Sequence, residues 1–305
     1  MQSLWMLVAS FLFSIMGVCV KLASDYYSTS EIVLCRGIIG ISVIAALVRV
    51  RGGTFRTPFP RDHLIRGGVG VISLWLWFYS FSLLPVATAT TLNYMSSIWI
   101  AVMLFAAAWW QGNKKFEWGL AATVVLSFIG VALLMRPSLD ADQLLGGAIS
   151  LFSGVLSALV YLQVRKLGLL GEPEYRVVFY FSLTGVLAGL VGSVATGRVP
   201  LWHSHSWQGA ALVIMIGLTA TLAQIAMTRA YRLGNTLVTA NLQYTGIVFS
   251  SLFGVLVWND APGWLGWLGM GVILASGLLA TYHNHRSSQI AARNLPKVDP
   301  IATEV

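Results

Sequence analysis

Residues 89–94 read ATTLNY and residues 239–244 read TANLQY, and the relation between these two stretches decides how the chain folds. Each lies in a long apolar run and closes on Leu, an amide and Tyr: Leu92, Asn93 and Tyr94 in the first, Leu242, Gln243 and Tyr244 in the second. Downstream, Gly119 and Gly130 recur as Gly266 and Gly277 after a small gap. Upstream, a slightly shorter offset sets Lys21 against Arg165 and Arg36 against Tyr180. The chain repeats itself, so the number of apolar runs between the copies fixes how they are related.

A membrane-spanning helix needs about 20 mostly apolar residues. Ten runs qualify: 4–23, 31–50, 63–84, 86–110, 117–135, 143–164, 175–196, 206–229, 236–258 and 263–282. Composition demands such spans, because 57% of the 305 residues are hydrophobic and 10% are charged, against roughly 25% charged in a soluble domain. A soluble enzyme is excluded, and the short alternating strands of a membrane β-barrel are not seen. The predicted fold is an all-α membrane protein with ten transmembrane helices. The copies lie five runs apart, and five is odd, so the second half enters the bilayer upside down. Two inverted five-helix repeats follow, residues 1–136 and 137–285, with 286–305 expected to be a frayed cytoplasmic tail. Inverted repeats are an architecture of secondary transporters, with the ligand site between the halves. The first run has no basic residue before it and no small-residue cleavage site after it, and reads as a retained helix. Cys19 and Cys35 read as buried thiols.

The net charge of +8 does not announce a nucleic-acid partner. With a cytoplasmic N-terminus, fifteen of the nineteen Lys and Arg residues, Arg66 among them, fall on inner segments. Lys21, Arg36, Arg136 and Arg198 fall on the outer side. This positive-inside bias predicts a bacterial-type inner membrane and cytoplasmic termini. All nine prolines lie outside the predicted spans, which argues against proline-broken helices. The eleven acidic residues fall at span ends, in loops or in the tail, and none is predicted at mid-membrane. A carboxylate in the bilayer core is the usual device for binding a cation or carrying a proton; its lack argues against drug efflux of that kind.

The stretches VKLASDYYSTSEIVLCRG (20–37) and YSFSLLPVATATTLNY (79–94) resemble the EamA-type domain of the drug/metabolite transporter superfamily, in two tandem copies over about residues 5–283. The resemblance implies alternating access around a central cavity walled by helices 1–4 and 6–9, with helices 5 and 10 peripheral. The family often closes its fourth and ninth helices with Gly-Glu, where this chain has Gly112-Asn113 and Asn259-Asp260.

The candidate binding residues are basic, amide and aromatic. Lys21 and Arg36, near the outer ends of helices 1 and 2, form a predicted cationic rim for a carboxylate or phosphate. Asn93 and Gln243 are amides that must find partners in lipid, and Tyr94 and Tyr244 follow them. Trp75 and Tyr79 are i, i+4 on one helix face and, with Phe78, wall an aromatic cavity. Gln163, Gln224, Tyr161 and Arg229 fall in the cytoplasmic half of their helices. This set suits a small zwitterionic or anionic metabolite, such as an amino acid, with export the commoner activity of similar domains. Uptake of a nucleoside-like or adenosyl compound such as S-adenosylmethionine is the alternative, and an intramembrane lipid-linked transferase a distant one. No cofactor or metal is expected; His203-Ser-His205 lacks a third ligand. Gly185 and Gly189 predict close helix packing, and the chain is expected to be a monomer or weak homodimer.

Overall fold

The computed structural model describes residues 2–80, 83–84, 86–110, 118–135, 144–195, 206–259 and 263–293. Regular structure among them is helical throughout. A short 3-10 turn, Gln2–Leu4, leads into α1 (Trp5–Ala23), α2 (Thr29–Arg51), α3 (Pro60–Ser80), α4 (Val86–Tyr94), α5 (Ser96–Trp110) and α6 (Trp118–Met135). Then follow α7 (Leu144–Leu169), α8 (Glu174–Ala195), α9 (Trp207–Leu233), α10 (Thr236–Gln243), α11 (Thr245–Trp258) and α12 (Trp264–Arg293).

Eight segments among the described residues are long and apolar enough to cross a membrane. They are α1, α2, α4 joined to α5 (Ala89–Trp110), α7, α8, α9, α10 joined to α11 (Thr236–Trp258), and Trp264–Arg286 of α12. Of the ten predicted spans, two fall short of that description. The first turns of α3 carry Arg61, Asp62 and Arg66, and α6 is apolar but shorter. The helix α12 also runs to Arg293, into the stretch expected to fray. Gly112, Asn113, His203, His205 and Asp260 lie outside the described residues.

Two runs expected to be continuous are each divided, at Met95 and at Tyr244. Neither break holds a proline, although Gly246 lies in the turn at the second. Instead the backbone tightens to i, i+3 bonding: Met95 N–H donates to Leu92 O (3.3 Å), Tyr244 N–H to Asn241 O (3.1 Å) and Ile247 N–H to Tyr244 O (3.0 Å). An unsatisfied carbonyl in lipid costs several kcal/mol, and hydroxyls meet those near the second break. Thr245 Oγ1 donates to Leu242 O (2.6 Å), Ser14 Oγ of α1 to Gly246 O (2.9 Å) and Ser97 Oγ of α5 to Ala240 O (2.9 Å).

The principal packing pairs are α1 with α9, α2 with α8, α3 with α7 and α6 with α12. Small residues set the closest approaches. A Cβ on Gly130 would stand 2.8 Å from the Gly269 carbonyl oxygen, locking α6 to α12, and one on Gly189 would stand 2.7 Å from Leu34 N. Gly189 therefore serves an intrachain contact between α8 and α2. Large apolar residues such as Leu187, Leu256 and Leu278 are exposed on the outside of the bundle, as lipid requires. The start of α2 is fixed by a reciprocal capping box between Ser28 and Glu31.

Candidate transport cavity

A small, partly open cavity lies among α2, α3, α8 and α9. Its polar lining is Arg36, Ser182, Thr221 and Gln224; Phe181 and aliphatic residues such as Val71 and Leu74 supply the rest. Glycines let the walls close in: a Cβ on Gly37 would meet Ser182 O at 2.9 Å, whereas Gly185 faces open space and lines the cavity. Arg36 reaches from α2 to Phe181 of α8, its guanidinium carbon 5.4 Å from the ring centroid. A second guanidinium sits on the same ring. Arg66 of α3 lies 3.7 Å from the Phe181 centroid, is 2% exposed, and donates from Nη2 to Gln224 Oε1 at 3.2 Å. Its Nε and Nη1 have no hydrogen-bond partner. No carboxylate among the described residues pairs with either arginine; the acids that form ion pairs, Asp62, Glu172 and Glu174, pair with other residues.

Those acids gather where the α2–α3 and α7–α8 connections meet. Asp62 accepts from Lys166 Nζ (2.6 Å) and Gln163 Nε2 (2.9 Å). Buried Glu172 accepts from Thr57 Oγ1 (2.8 Å) and from Arg176 Nη1 (3.0 and 3.1 Å), and lies 3.1 Å from His63 Nε2. Tyr180 OH donates to Phe55 O at 3.0 Å, and Arg232 pairs with Glu174 at 3.1 Å. The hydrogen bond from Lys166 holds the Asp62 carboxyl below its ordinary value. Burial alone would raise Glu172, but the hydrogen bonds from Thr57, His63 and Arg176 outweigh it and hold that carboxyl down. Along α3 the order is therefore latch (Asp62, His63), buried Arg66, then the cavity wall (Val71, Leu74).

This bundle is shared with known carriers. A model described as the EamA-like transporter family matches residues 1–136. Over 275 residues the chain is 30% identical to the pseudopaline exporter CntI of Pseudomonas aeruginosa, covering 90% of this chain and 93% of that protein. The chain belongs to the EamA-like transporter family. This EamA-like protein is thus a multi-pass membrane transporter and not an enzyme, which disposes of the transferase alternative. It is also 20% identical to the S-adenosylmethionine uptake transporter of Rickettsia prowazekii, over 93% of each chain. A solved crystal structure has the same fold, with a TM-score of 0.79 at 19% identity, over 93% of this chain and 98% of that one.

Within this EamA-like transporter the expected site residues separate. Arg36 and Gln224 meet at the cavity. Lys21 does not join Arg36 there; its Nζ lies 4.0 Å over the Trp258 ring. Trp75 packs near Gly192 and Ser30, and Tyr79 is largely exposed. The side chain of Phe78 is outside the described set. Asn93 Nδ2 donates to Ser153 Oγ (2.8 Å), joining α4 to α7. Gln163 belongs to the Asp62 latch. Gln243 accepts from Tyr231 OH (3.1 Å) and donates to Tyr161 OH (3.0 Å), and Tyr94 stacks on Tyr244. Arg229 lies 4.9 Å over Trp5. Sequence reasoning missed Phe181 and Arg66. It treated Arg66 as an inner-segment topology charge, yet the residue is buried in the bundle. The available signal was a position six residues beyond Pro60, within the apolar run 63–84.

Proposed function

We propose that the protein is a secondary carrier exporting a small zwitterionic or anionic metabolite, an amino acid or similar compound, by alternating access of two inverted five-helix repeats. The repeats are 1–136 and 137–285. The first supplies α1, α2, α3, α4 with α5, and α6; the second supplies α7, α8, α9, α10 with α11, and α12. Shifting by five spans turns the α1–α9 pair into α7–α3 and maps α2–α8 and α6–α12 onto themselves, and all four are principal contacts. The two divided spans correspond, and their matched tyrosines, Tyr94 and Tyr244, stack with centroids 6.2 Å apart. Serines of α1 bond the α10–α11 backbone, as Ser150 of α7 bonds Ala89 O of α4 (2.6 Å). Removing Arg66 from the loop count leaves the positive-inside bias intact, which supports cytoplasmic termini in an inner membrane. The use of Gly189 within the chain supports a monomer.

One observation carries the cargo class: Arg36 lines a cavity in which no carboxylate among the described residues compensates it. In this reading Arg36 and Gln224 touch the cargo, and Lys21, Trp75 and Tyr79 lie toward the opening. Asn93, Tyr94, Gln163, Gln243 and Tyr244 hold the helices between which access alternates. Uptake of a nucleoside-like or adenosyl compound is the second reading, favoured by the likeness to the S-adenosylmethionine carrier. Ligand-induced stabilisation of purified protein against amino acids, nucleosides and adenosyl compounds separates the two. Arg36→Gln should lower binding and proteoliposome transport of carboxylated cargo at least about ten-fold, since a hydrogen bond to a charged group contributes about 1.5–3 kcal/mol. Undiminished transport in Arg36→Gln would overturn the anionic-cargo reading.

A further inference from the structure

Arg66 has no part in that reading. It is 2% exposed, makes one hydrogen bond, and leaves two guanidinium nitrogens unpartnered. Arg36 approaches the same Phe181 ring. Two like charges thus flank one phenyl group inside the bundle, with no protein carboxylate against either among the described residues. A buried charge without a partner is costly, and a second of the same sign adds repulsion. Neutral packing would avoid both costs, and orphaned guanidinium donors match the planar geometry of carboxylate and phosphate.

Resting on the proposed reading of an anionic cargo, we infer that Arg36 and Arg66 form a two-guanidinium site selecting cargo with two acidic groups, one for each arginine. The shared ring sets the spacing, holding the two charges within reach of the two ends of one small diacid. Arg36 lines the cavity directly, whereas Phe181 and Gln224 stand between the cavity and Arg66. The first acidic group meets Arg36, and the second reaches Arg66 when the Phe181 ring turns aside. Gln224, through its hydrogen bond to Nη2, positions the Arg66 fork. The chemistry is shared by a second carboxylate and a phosphate ester.

The test is ligand-induced stabilisation of the purified full-length protein with matched pairs: glutamate against glutamine, aspartate against asparagine, and phosphoserine against serine. The last pair distinguishes phosphate from a second carboxylate. At least one class of diacid should bind about ten-fold or more tightly than its partner, the ratio that one additional charge-assisted contact supplies. Arg66→Gln should bring that ratio close to one. Because Arg66→Gln removes a buried side chain and can fail to fold, Gln224→Glu provides a second arm: it sets a carboxylate beside Nη2 and should abolish the same preference. No diacid preference in the wild type, or a preference that survives both substitutions, would overturn the inference. Monoacid binding without diacid preference sinks the two-arginine site and leaves the anionic-cargo reading standing; no binding by any member sinks both.

Discussion

At the scale of single residues, Glu172 shows how this protein spends a carboxylate without putting it in the cavity. It is buried and takes hydrogen bonds from Thr57 and Arg176 while lying against His63, so its carboxyl is held below the ordinary value of 4.5. A group whose folded pKa is depressed stabilises the fold fully above its unfolded pKa. That contribution fades as pH falls through the folded value, once the folded state must also take up the proton. The melting temperature of wild-type protein in detergent should therefore exceed that of Glu172→Gln at about pH 6. The gap should close as the buffer is taken below the ordinary carboxylate range. A gap that stays constant with acidification would mean that the depressed carboxyl contributes nothing to the latch.

At the scale of elements, the helices were legible because lipid imposes long apolar runs, but their divisions were not. Hydropathy counts apolar atoms; it does not register a switch from i, i+4 to i, i+3 bonding such as the one beginning at Tyr244, with Thr245 and serines of α1 and α5 taking up nearby carbonyls. The second arginine beside the cavity was hidden for a related reason. Arg36 was legible as a charge inside a span, whereas Arg66 follows a proline-marked loop. Its burial depends on Phe181 and on Gln224, 158 positions away. Lys21 was grouped with Arg36 by depth and by the resemblance, but its ammonium lies over Trp258 instead. The glycine pair expected to mark close packing carried over in part: Gly189 meets α2, whereas Gly185 faces the cavity. Gly130→Val would push a side chain against the Gly269 carbonyl oxygen, 2.8 Å from the new Cβ, and part α6 from α12. Overpacking of that kind costs about 1–3 kcal/mol and should appear as a lowered melting temperature. Gly271→Ala, which meets nothing within 4 Å, should leave it unchanged or slightly raised. Equal effects of the two substitutions would remove the close approach as the cause.

At the scale of the whole molecule, the proposed repeats differ in their contacts. Under the proposed five-span shift α1 and α3 correspond to α7 and α9, yet α7 packs along α9 while α1 and α3 make no comparable contact. The latch residues Asp62, Lys166, Glu172, His63 and Arg176 all lie at the end where α3 begins and α7 gives way to α8. That is the arginine-rich end, which the proposed orientation makes cytoplasmic; on that proposal the latch is a closed cytoplasmic gate and the cavity is reached from the outer side. Under the proposed alternating access the latch must part, and every bond in it joins residues 1–136 to residues 137–285 or braces a residue that does. A single cysteine at Ser182, which lines the cavity, reports on this when Cys19 and Cys35 are replaced. A membrane-impermeant maleimide should label Ser182→Cys from the outer face of intact cells and poorly from the cytoplasmic face of inverted vesicles. Adding Asp62→Asn and Glu172→Gln removes the charge from both latch acids and should raise labelling from the cytoplasmic face several-fold, since weakening one state shifts the population toward the other. Efficient cytoplasmic labelling with the latch intact would place the opening at the arginine-rich end and reverse this assignment of the closed gate.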